Sequence, residues 1–326
     1  MLKIFCDDND KKAIGHVLER LKANYKPFEN QHIIITPTSY TLGMETLVLD
    51  SLGVKGAFNI SVSSFERVCA KSLKNAGKSY LSREGAVMVM RKVINANAKK
   101  LKHYAGSCKR NTFASDIYRA IENLRLSGHS PQSLEEALPN LQSSTCSKLK
   151  DIILIYKAYE EEIARFTPDL ITVYNAFIAN IQNEEEIKNA YVYIMGFNTL
   201  SNKEIELIKV ISEHAIETNI ALSFVPGDEV NVETTPTKTF SRLRDAIEDI
   251  EIYARGQYVS SEDEIEKINA AKKEEYSQKL LHLKDLEDKK SAAYRMKTED
   301  KKYQINELDF LRSEIFTYSD LVYEDV

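Results

Sequence analysis

The chain has 326 residues, 43% of them hydrophobic and 29% charged, and a net charge of −5. That balance excludes a disordered chain, and the length suffices for one large domain or two ordinary ones with a sizeable core. There is no global basic field, so contact with nucleic acid has to come from a local groove, and no apolar run reaches the roughly 18 residues needed to span a bilayer.

The opening stretch, Met1-Leu2-Lys3-Ile4-Phe5-Cys6 and then Asp7-Asp8, has no long apolar core and no cleavage site. It does not read as a signal peptide, and the cytoplasm is the expected compartment. Leu2 to Cys6 reads as a short apolar strand. A helix follows with Ile14, Val17, Leu18 and Leu21 on one face, stopped by Pro27. Ile33-Ile34-Ile35-Thr36-Pro37 is a β-branched run closed by proline, the signature of a strand buried on both faces. A helix over 43–52 and a strand over 59–62 come next. Ser63, with Glu66 three residues on, has the capping-box spacing of a helix start. Residues 1–75 therefore alternate β-α-β-α-β-α, which argues for a parallel sheet covered by helices.

The middle of the chain has no convincing strand. Helices are expected at 83–98, 110–127, 131–138, 145–165 and 168–182, with Gly128 as a stop and Pro131 as a restart. The α/β pattern then resumes with a strand over 190–195, an amphipathic helix over 201–214, and a strand over 219–225 stopped by Pro226-Gly227. One α/β domain split by a helical block is the expectation. Its parts are 1–80 and 186–240, with the helical block at 81–185. Beyond about residue 241 the chain reads as a charged helical extension to 326. Arg242 to Ala254 is expected to be helical, and 260–302 is dense in Glu, Asp and Lys over a thin apolar stripe, suiting a solvated helix or hairpin. The tail at 318–326 looks like the beginning of a further part.

A sheet opened by an N-terminal strand and loop is where a phosphate-binding loop would sit. Such a loop needs glycines to expose backbone N–H groups, a lysine for the phosphates, and a Ser or Thr hydroxyl for Mg²⁺. Here the glycines are missing and Asp7, Asp8 and Asp10 stand where phosphates would approach. Lys11 and Lys12 offset that charge only in part, and Lys12 is followed by Ala13, not a hydroxyl. The second nucleotide element is an acidic residue at the end of a later strand. The strand at 190–195 ends in Met195-Gly196, and a thioether is no ligand for a hard cation. No catalytic residue, metal ligand or working nucleotide site is expected. Cys6, Cys69, Cys108 and Cys146 are far apart and none makes a C-x-x-C pair, so they read as idle or buried thiols. His129 and His214 lack a second ligand at metal spacing and read as structural. Glu184-Glu185-Glu186 reads as surface charge at a helix end.

Several stretches together resemble a known family. They are Ile33 to Thr38 running on through Glu45, Val62-Ser63-Ser64-Phe65-Glu66-Arg67-Val68, and Leu149 to Leu170 with Ile155-Tyr156-Lys157-Ala158-Tyr159-Glu160. Tyr191-Val192-Tyr193-Ile194-Met195-Gly196-Phe197-Asn198, Phe113 to Ala137, and more loosely Glu307 to Tyr323 join them. In order and spacing they are similar to the N-terminal helicase-like region of AddB/RexB, the B subunit of the bacterial ATP-dependent helicase/deoxyribonuclease. The resemblance implies a RecA-like, P-loop NTPase-like domain of the superfamily 1 helicase (1A) type with an inserted all-helical (1B-like) domain. It also implies a motor-bearing A-type partner subunit in a heterodimer, and single-stranded or unwinding DNA as substrate in double-strand break repair and recombination. ATP, Mg²⁺ and an iron–sulfur cluster belong to the intact family complex, and none of the four cysteines matches a cluster ligand. The sequence departs from the family at the loop over 7–15, at Met195, and in lacking a second helicase-like block and a nuclease block. The enzyme label of the intact family protein is therefore not assigned to these residues.

In such domains the loops following the second and third strands meet single-stranded DNA. Thr36, Thr38, Ser39 and Tyr40 offer hydroxyls and a ring for phosphate and base, or form an ordinary polar loop. Ser64, Phe65 and Arg67 hold a second such position, where Phe65 is either a stacking platform or core. Lys99, Lys100, Lys102, His103, Lys109 and Arg110, with Tyr104 among them, form the most basic local cluster, which is either a backbone track or a solvated loop. Two other functions stay open: a protein–protein scaffold without DNA contact, and an ATPase that binds nucleotide unconventionally.

Overall fold

The computed structural model describes residues 1–75, 79–110, 112–140, 143–165, 167–224 and 235–259, with 281 and 284. The expected helix over 260–302, the stop at 225–227, and the stretches 307–323 and 318–326 fall largely or wholly outside those residues. Among the described residues seven strands are formed: β1 (Leu2–Cys6), β2 (Gln31–Ile35), β3 (Ile60–Ser63), β4 (Ala190–Ile194), β5 (Glu217–Leu222), β6 (Ile250–Ala254) and β7 (Gln257–Val259). They make one sheet in the order β3-β2-β4-β5-β1-β6-β7. Neighbours pair in parallel except at the β6–β7 hairpin. This mostly parallel α/β sheet is compatible with a RecA-like fold.

The central strands are apolar at successive positions because both faces of the sheet are covered. Side chains alternate across a strand, so Leu2, Ile4, Ile33, Ile35, Val192, Ile194, Ile220 and Leu222 fall on one face. Phe5, Ile34, Tyr193, Met195 and Ala221 fall on the other. The second face is covered by α1 (Asp10–Asn24) through Ala13, Val17, Leu18 and Leu21, and by α2 (Thr41–Leu52) through Met44 and Val48. Each of the valine, leucine and methionine side chains among these, taken fully out of water, contributes about 1.5–3 kcal/mol.

The first face is covered by α3 (Phe65–Asn75) and, later in the chain, by α8 (Leu170–Asn180), α10 (Asn202–His214) and α11 (Thr235–Ala246). Between α3 and α8 lie α4 (Arg83–Asn97), α5 (Phe113–Leu126), α6 (Pro131–Ala137) and α7 (Ser143–Arg165). These four gather around a core of their own, with Met90, Ile94, Ile121, Tyr156 and Tyr159 among its most buried members. The short α9 (Glu185–Lys188) leads into β4.

The expected punctuation is visible in the caps. After α5 the His129 N–H reaches the Leu124 carbonyl at 2.9 Å and the Gly128 N–H that of Arg125 at 3.0 Å, with Gly128 at φ +82°. This is the Schellman arrangement, for which glycine is favoured at the left-handed position. Ser201 caps α10 in a full capping box with Glu204.

Two expectations are corrected. The cap of α3 is Ser64, whose Oγ accepts the Arg67 N–H at 3.4 Å, and Ser63 is still in β3. Pairing with Ile35 holds Ser63 extended, so the helix begins one residue later. The helix expected over Arg242 to Ala254 ends at Ala246, and 250–254 is β6. Ile250, Ile252 and Ala254 alternate with Glu251 and Tyr253, and β1 pairs along the whole of that segment. An available strand edge outweighs weak local helix preference. The turn to β7 uses Arg255 at φ +50° and Gly256 at φ +77°, the two left-handed positions of a tight hairpin.

Candidate functional site

In an open α/β sheet, ligands bind beyond the carboxyl ends of the strands where the chain switches direction across the sheet. Here β1 is that strand: α1 carries the chain past β5 and β4 to β2, whereas β6 is added on the other side of β1. Only Asp7, Asp8 and Asn9 connect β1 to α1. Asn9 caps the helix itself, its Oδ1 accepting the Lys12 N–H at 3.0 Å. Asp7 is 4% exposed. Its carboxylate accepts the Asp8 N–H at 2.7 Å, lies 2.8 Å from His16 Nε2, and has Lys12 Nζ at 3.8 Å. Asp8 lies 3.5 Å from Lys12 and 3.5 Å from Arg255. The β6–β7 turn closes on this loop. The Arg255 N–H bonds the Cys6 carbonyl at 2.9 Å, and a Cβ on Gly256 would stand 3.0 Å from the His16 ring. The helix end and the cations that would meet a phosphate are thus engaged by the chain's own Asn9, Asp7 and Asp8. Lys11 is exposed.

At the end of β4, Met195 is fully buried and packs in the apolar cluster with Phe5, Ala13, Val17 and Met44. Gly196 follows at φ +81°, and a Cβ there would come within 3.3 Å of Thr36 Oγ1 and 3.6 Å of the Pro37 ring. The ends of β2 and β4 are therefore packed together without room for a ligand between them at this point. Among the described residues, no three of His, Cys, Asp and Glu converge as a group able to hold a metal ion, and no helix is long and apolar enough to cross a membrane.

The residues singled out for DNA contact divide by exposure. Thr36 is fully buried, and its hydroxyl has no hydrogen-bond partner among the described residues. Ser64 is buried as the cap of α3, and Phe65 is 2% exposed with its ring 5.4 Å from Phe197. Of the two readings of Phe65, the fold takes core. Thr38, Ser39 and Arg67 are exposed, and Tyr40 is 60% exposed. The turn at Thr38–Tyr40 and the start of α3 follow β2 and β3, which are paired, and the Thr36 N–H bonds the Ser63 carbonyl at 2.9 Å. Thr38, Ser39 and Tyr40 on the one hand and Arg67 on the other therefore follow adjacent parallel strands at the same end of the sheet. Lys109 and Arg110 are also exposed but belong to the loop between α4 and α5, in the helical cluster.

Three charged arrangements behind these surfaces were not evident from sequence. Glu217 at the start of β5 is reached by Arg20 Nε at 2.8 Å, Asn24 at 3.1 Å and Lys3 at 3.1 Å, and Lys3 also meets Glu251 at 3.2 Å. Burial alone would push the Glu217 carboxyl up, but the hydrogen bonds from Arg20 and Lys3 outweigh it and hold the carboxyl down at about 2. Burial likewise works against the Lys3 ammonium, and its Glu217 contact reverses the effect, leaving it raised. In the helical cluster, Arg125 pairs with the buried Asp169, which also takes hydrogen bonds from Tyr159 and Thr172. Burial raises the Asp169 carboxyl, and the adjacent guanidinium more than reverses that, leaving it below its ordinary value. Asp151, 4% exposed, accepts the backbone N–H groups of Lys102 (3.1 Å), His103 (2.8 Å) and Tyr104 (2.9 Å). The only sequence trace of this anchor is an aspartate on the otherwise apolar side of a long helix.

A family model described as "ADDB, N-terminal" matches residues 10–284. A Staphylococcus saprophyticus protein, by name the B subunit of an ATP-dependent helicase/deoxyribonuclease, is 28% identical over 218 residues, covering 65% of this chain and 19% of that protein. Proteins of the same name from Listeria welshimeri and Staphylococcus aureus are each 25% identical, over 71% and 76% of this chain and 20% and 22% of their own lengths. The chain spans about a fifth of the length of the curated relatives it matches.

Proposed function

The chain belongs to the AddB N-terminal family, and on that premise we propose that it is the helicase-like part of a DNA-repair subunit, which contacts DNA and a motor-bearing partner but does not itself hydrolyse ATP. In this reading the sheet is a RecA-like domain made of 1–80 and 186–240. Residues 81–185 are an inserted helical domain, and β6 and β7 complete the sheet. The name shared by the relatives, that of one subunit in an ATP-dependent helicase/deoxyribonuclease, supports both DNA and a partner subunit.

The observation that carries the non-hydrolysing part is the β1–α1 loop. A triphosphate needs free N–H donors and cations. Here Asn9 caps the helix, and Asp7, held by His16 and the Asp8 N–H, brings a buried negative charge to the same place. Seating a phosphate beside that carboxylate sets like charges together. Met195, embedded in apolar side chains, offers Mg²⁺ no oxygen. These residues do not fit ATP–Mg²⁺.

The DNA part rests on Thr38, Ser39, Tyr40 and Arg67, the exposed members of the edge beyond β2 and β3. The test has two arms. Fluorescence anisotropy with a labelled single-stranded oligonucleotide at two salt concentrations should give binding that weakens with salt. A phosphate-release assay with ATP, Mg²⁺ and DNA should stay at background. Turnover above background would overturn the claim that the chain does not hydrolyse ATP. Absence of salt-dependent binding, alone and with the partner subunit, would overturn the DNA claim and favour a scaffold that only docks a partner.

A further inference from the structure

The geometry points to a second nucleic-acid contact in the helical cluster: a cleft beside the α4–α5 loop that takes one unpaired nucleotide. The inference rests on the DNA reading above and assigns part of that contact to a different place in the fold. Between Glu84 and Asp116 the sequence runs 31 residues without an acidic side chain, but with seven lysines and arginines, five of them between positions 99 and 110. A stretch of +7 in a chain of −5 leaves −12 on the remainder. The positive field is therefore concentrated here against an acidic background, the footprint expected of a local polyanion site. Lys99, Lys100, Lys102, Lys109 and Arg110 are all exposed.

The loop is built rather than loose. Asp151 draws the backbone N–H groups of residues 102–104 inward, and the N–H groups of Ser107 and Cys108 bond the Tyr104 carbonyl at 2.9 and 3.1 Å. Ordering the loop in the free protein lowers the entropy that binding has to overcome. Against it lies an open cleft of about 310 Å³, lined by Tyr104, Ser107, Arg110 and Thr112 together with the apolar side chains of Ile117 and Ile152. The Tyr104 ring is steadied by Phe113 at 5.4 Å and by His103, edge-on, at 4.9 Å. Asp116, the one acid among the described lining residues, has Arg119 at 3.5 Å.

An aromatic ring with an apolar wall suits the face of a base, and a guanidinium with two hydroxyls suits the phosphate next to it. A base can enter such a cleft only when it is not stacked in a duplex, so the ligand class is single-stranded nucleic acid. The flanking lysines extend the track along its backbone.

The test titrates the full chain against a fluorescein-labelled oligothymidylate at about 50 and about 200 mM salt. The double variant Lys109→Ala/Arg110→Ala should bind at least about tenfold more weakly, with the salt slope reduced by about 1.4 for two lost phosphate contacts. Tyr104→Leu should weaken binding at least about fivefold while leaving the salt slope unchanged, because it removes stacking and no charge. Tyr40→Ala/Arg67→Ala, at the sheet edge, is the comparator. If both cleft variants stay within about twofold of wild type while the comparator loses affinity, the cleft is not a site, and the DNA reading survives without it. Preference for a blunt duplex over the single strand would also overturn the inference. If the wild-type chain binds no oligonucleotide at either salt, the DNA reading fails and the cleft with it.

Discussion

Replacing Glu217 by Gln tests the charge arrangement that ties β1, β5, β6 and α1 together at the end of the strands opposite the β1–α1 loop. The side chain is 8% exposed and lies 3.1 Å from Lys3 and 2.8 Å from Arg20. Its carboxyl is held at about 2 against an ordinary 4.5. Holding the carboxyl that far below its ordinary value corresponds to about 3 kcal/mol of folding free energy at pH 7. The carboxyl is depressed in the folded state, so this stabilisation is complete above pH 4.5 and is lost as the pH falls through about 2. At pH 3, midway through the loss, about 1.4 kcal/mol should be left. Gln keeps the shape and removes the charge, leaving Lys3 with Glu251 alone. Urea unfolding followed by circular dichroism should therefore put Glu217→Gln about 3 kcal/mol below wild type at pH 7, and about 1.4 kcal/mol below at pH 3. A deficit under about 0.5 kcal/mol at pH 7, or one of equal size at the two pH values, would refute the assignment of the stabilisation to this carboxylate.

The other expectations are read by the same unfolding measurement. Asp169→Ala strands the buried Arg125 guanidinium and should cost about 3–5 kcal/mol, whereas the paired change Arg125→Met/Asp169→Leu should cost far less. Gly196→Ala forces a side chain into a left-handed turn packed on Thr36 and Pro37 and should cost about 1–2 kcal/mol. Met195→Asp restores the residue type of a Mg²⁺ site but buries a charge in an apolar cluster. It should destabilise by about 3 kcal/mol or more and leave phosphate release at background. Asp151→Asn weakens the anchor of three backbone N–H groups. It should cost about 1–3 kcal/mol and make the 101–110 loop a preferred site of limited proteolysis.

What the sequence determined by itself is the part carried by local periodicity and chain order. The β-branched run at Ile33–Ile35 and the 3.6-residue stripe through Ile14, Val17, Leu18 and Leu21 each specify an element whichever neighbour it finds, so the alternation of strands and helices was legible. So was the long helical stretch that interrupts it, and the missing glycines and the methionine at 195 could be read at once. Pairing between distant segments was not legible. Residues 250–254 became a strand because β1 had an open edge to be covered, and that edge exists only in the folded sheet. Phe65 and Thr36 were ambiguous as letters, and their burial, Phe65 beside Phe197 and Thr36 beside Gly196, exists only in the folded sheet. The partners of Asp7, Glu217 and Asp151 lie up to about two hundred residues away, in His16, Arg20, Lys3 and the backbone of 102–104. Charges of this kind are placed by three-dimensional proximity, because the energy of a buried carboxylate depends on which donors surround it and not on its neighbours in the chain.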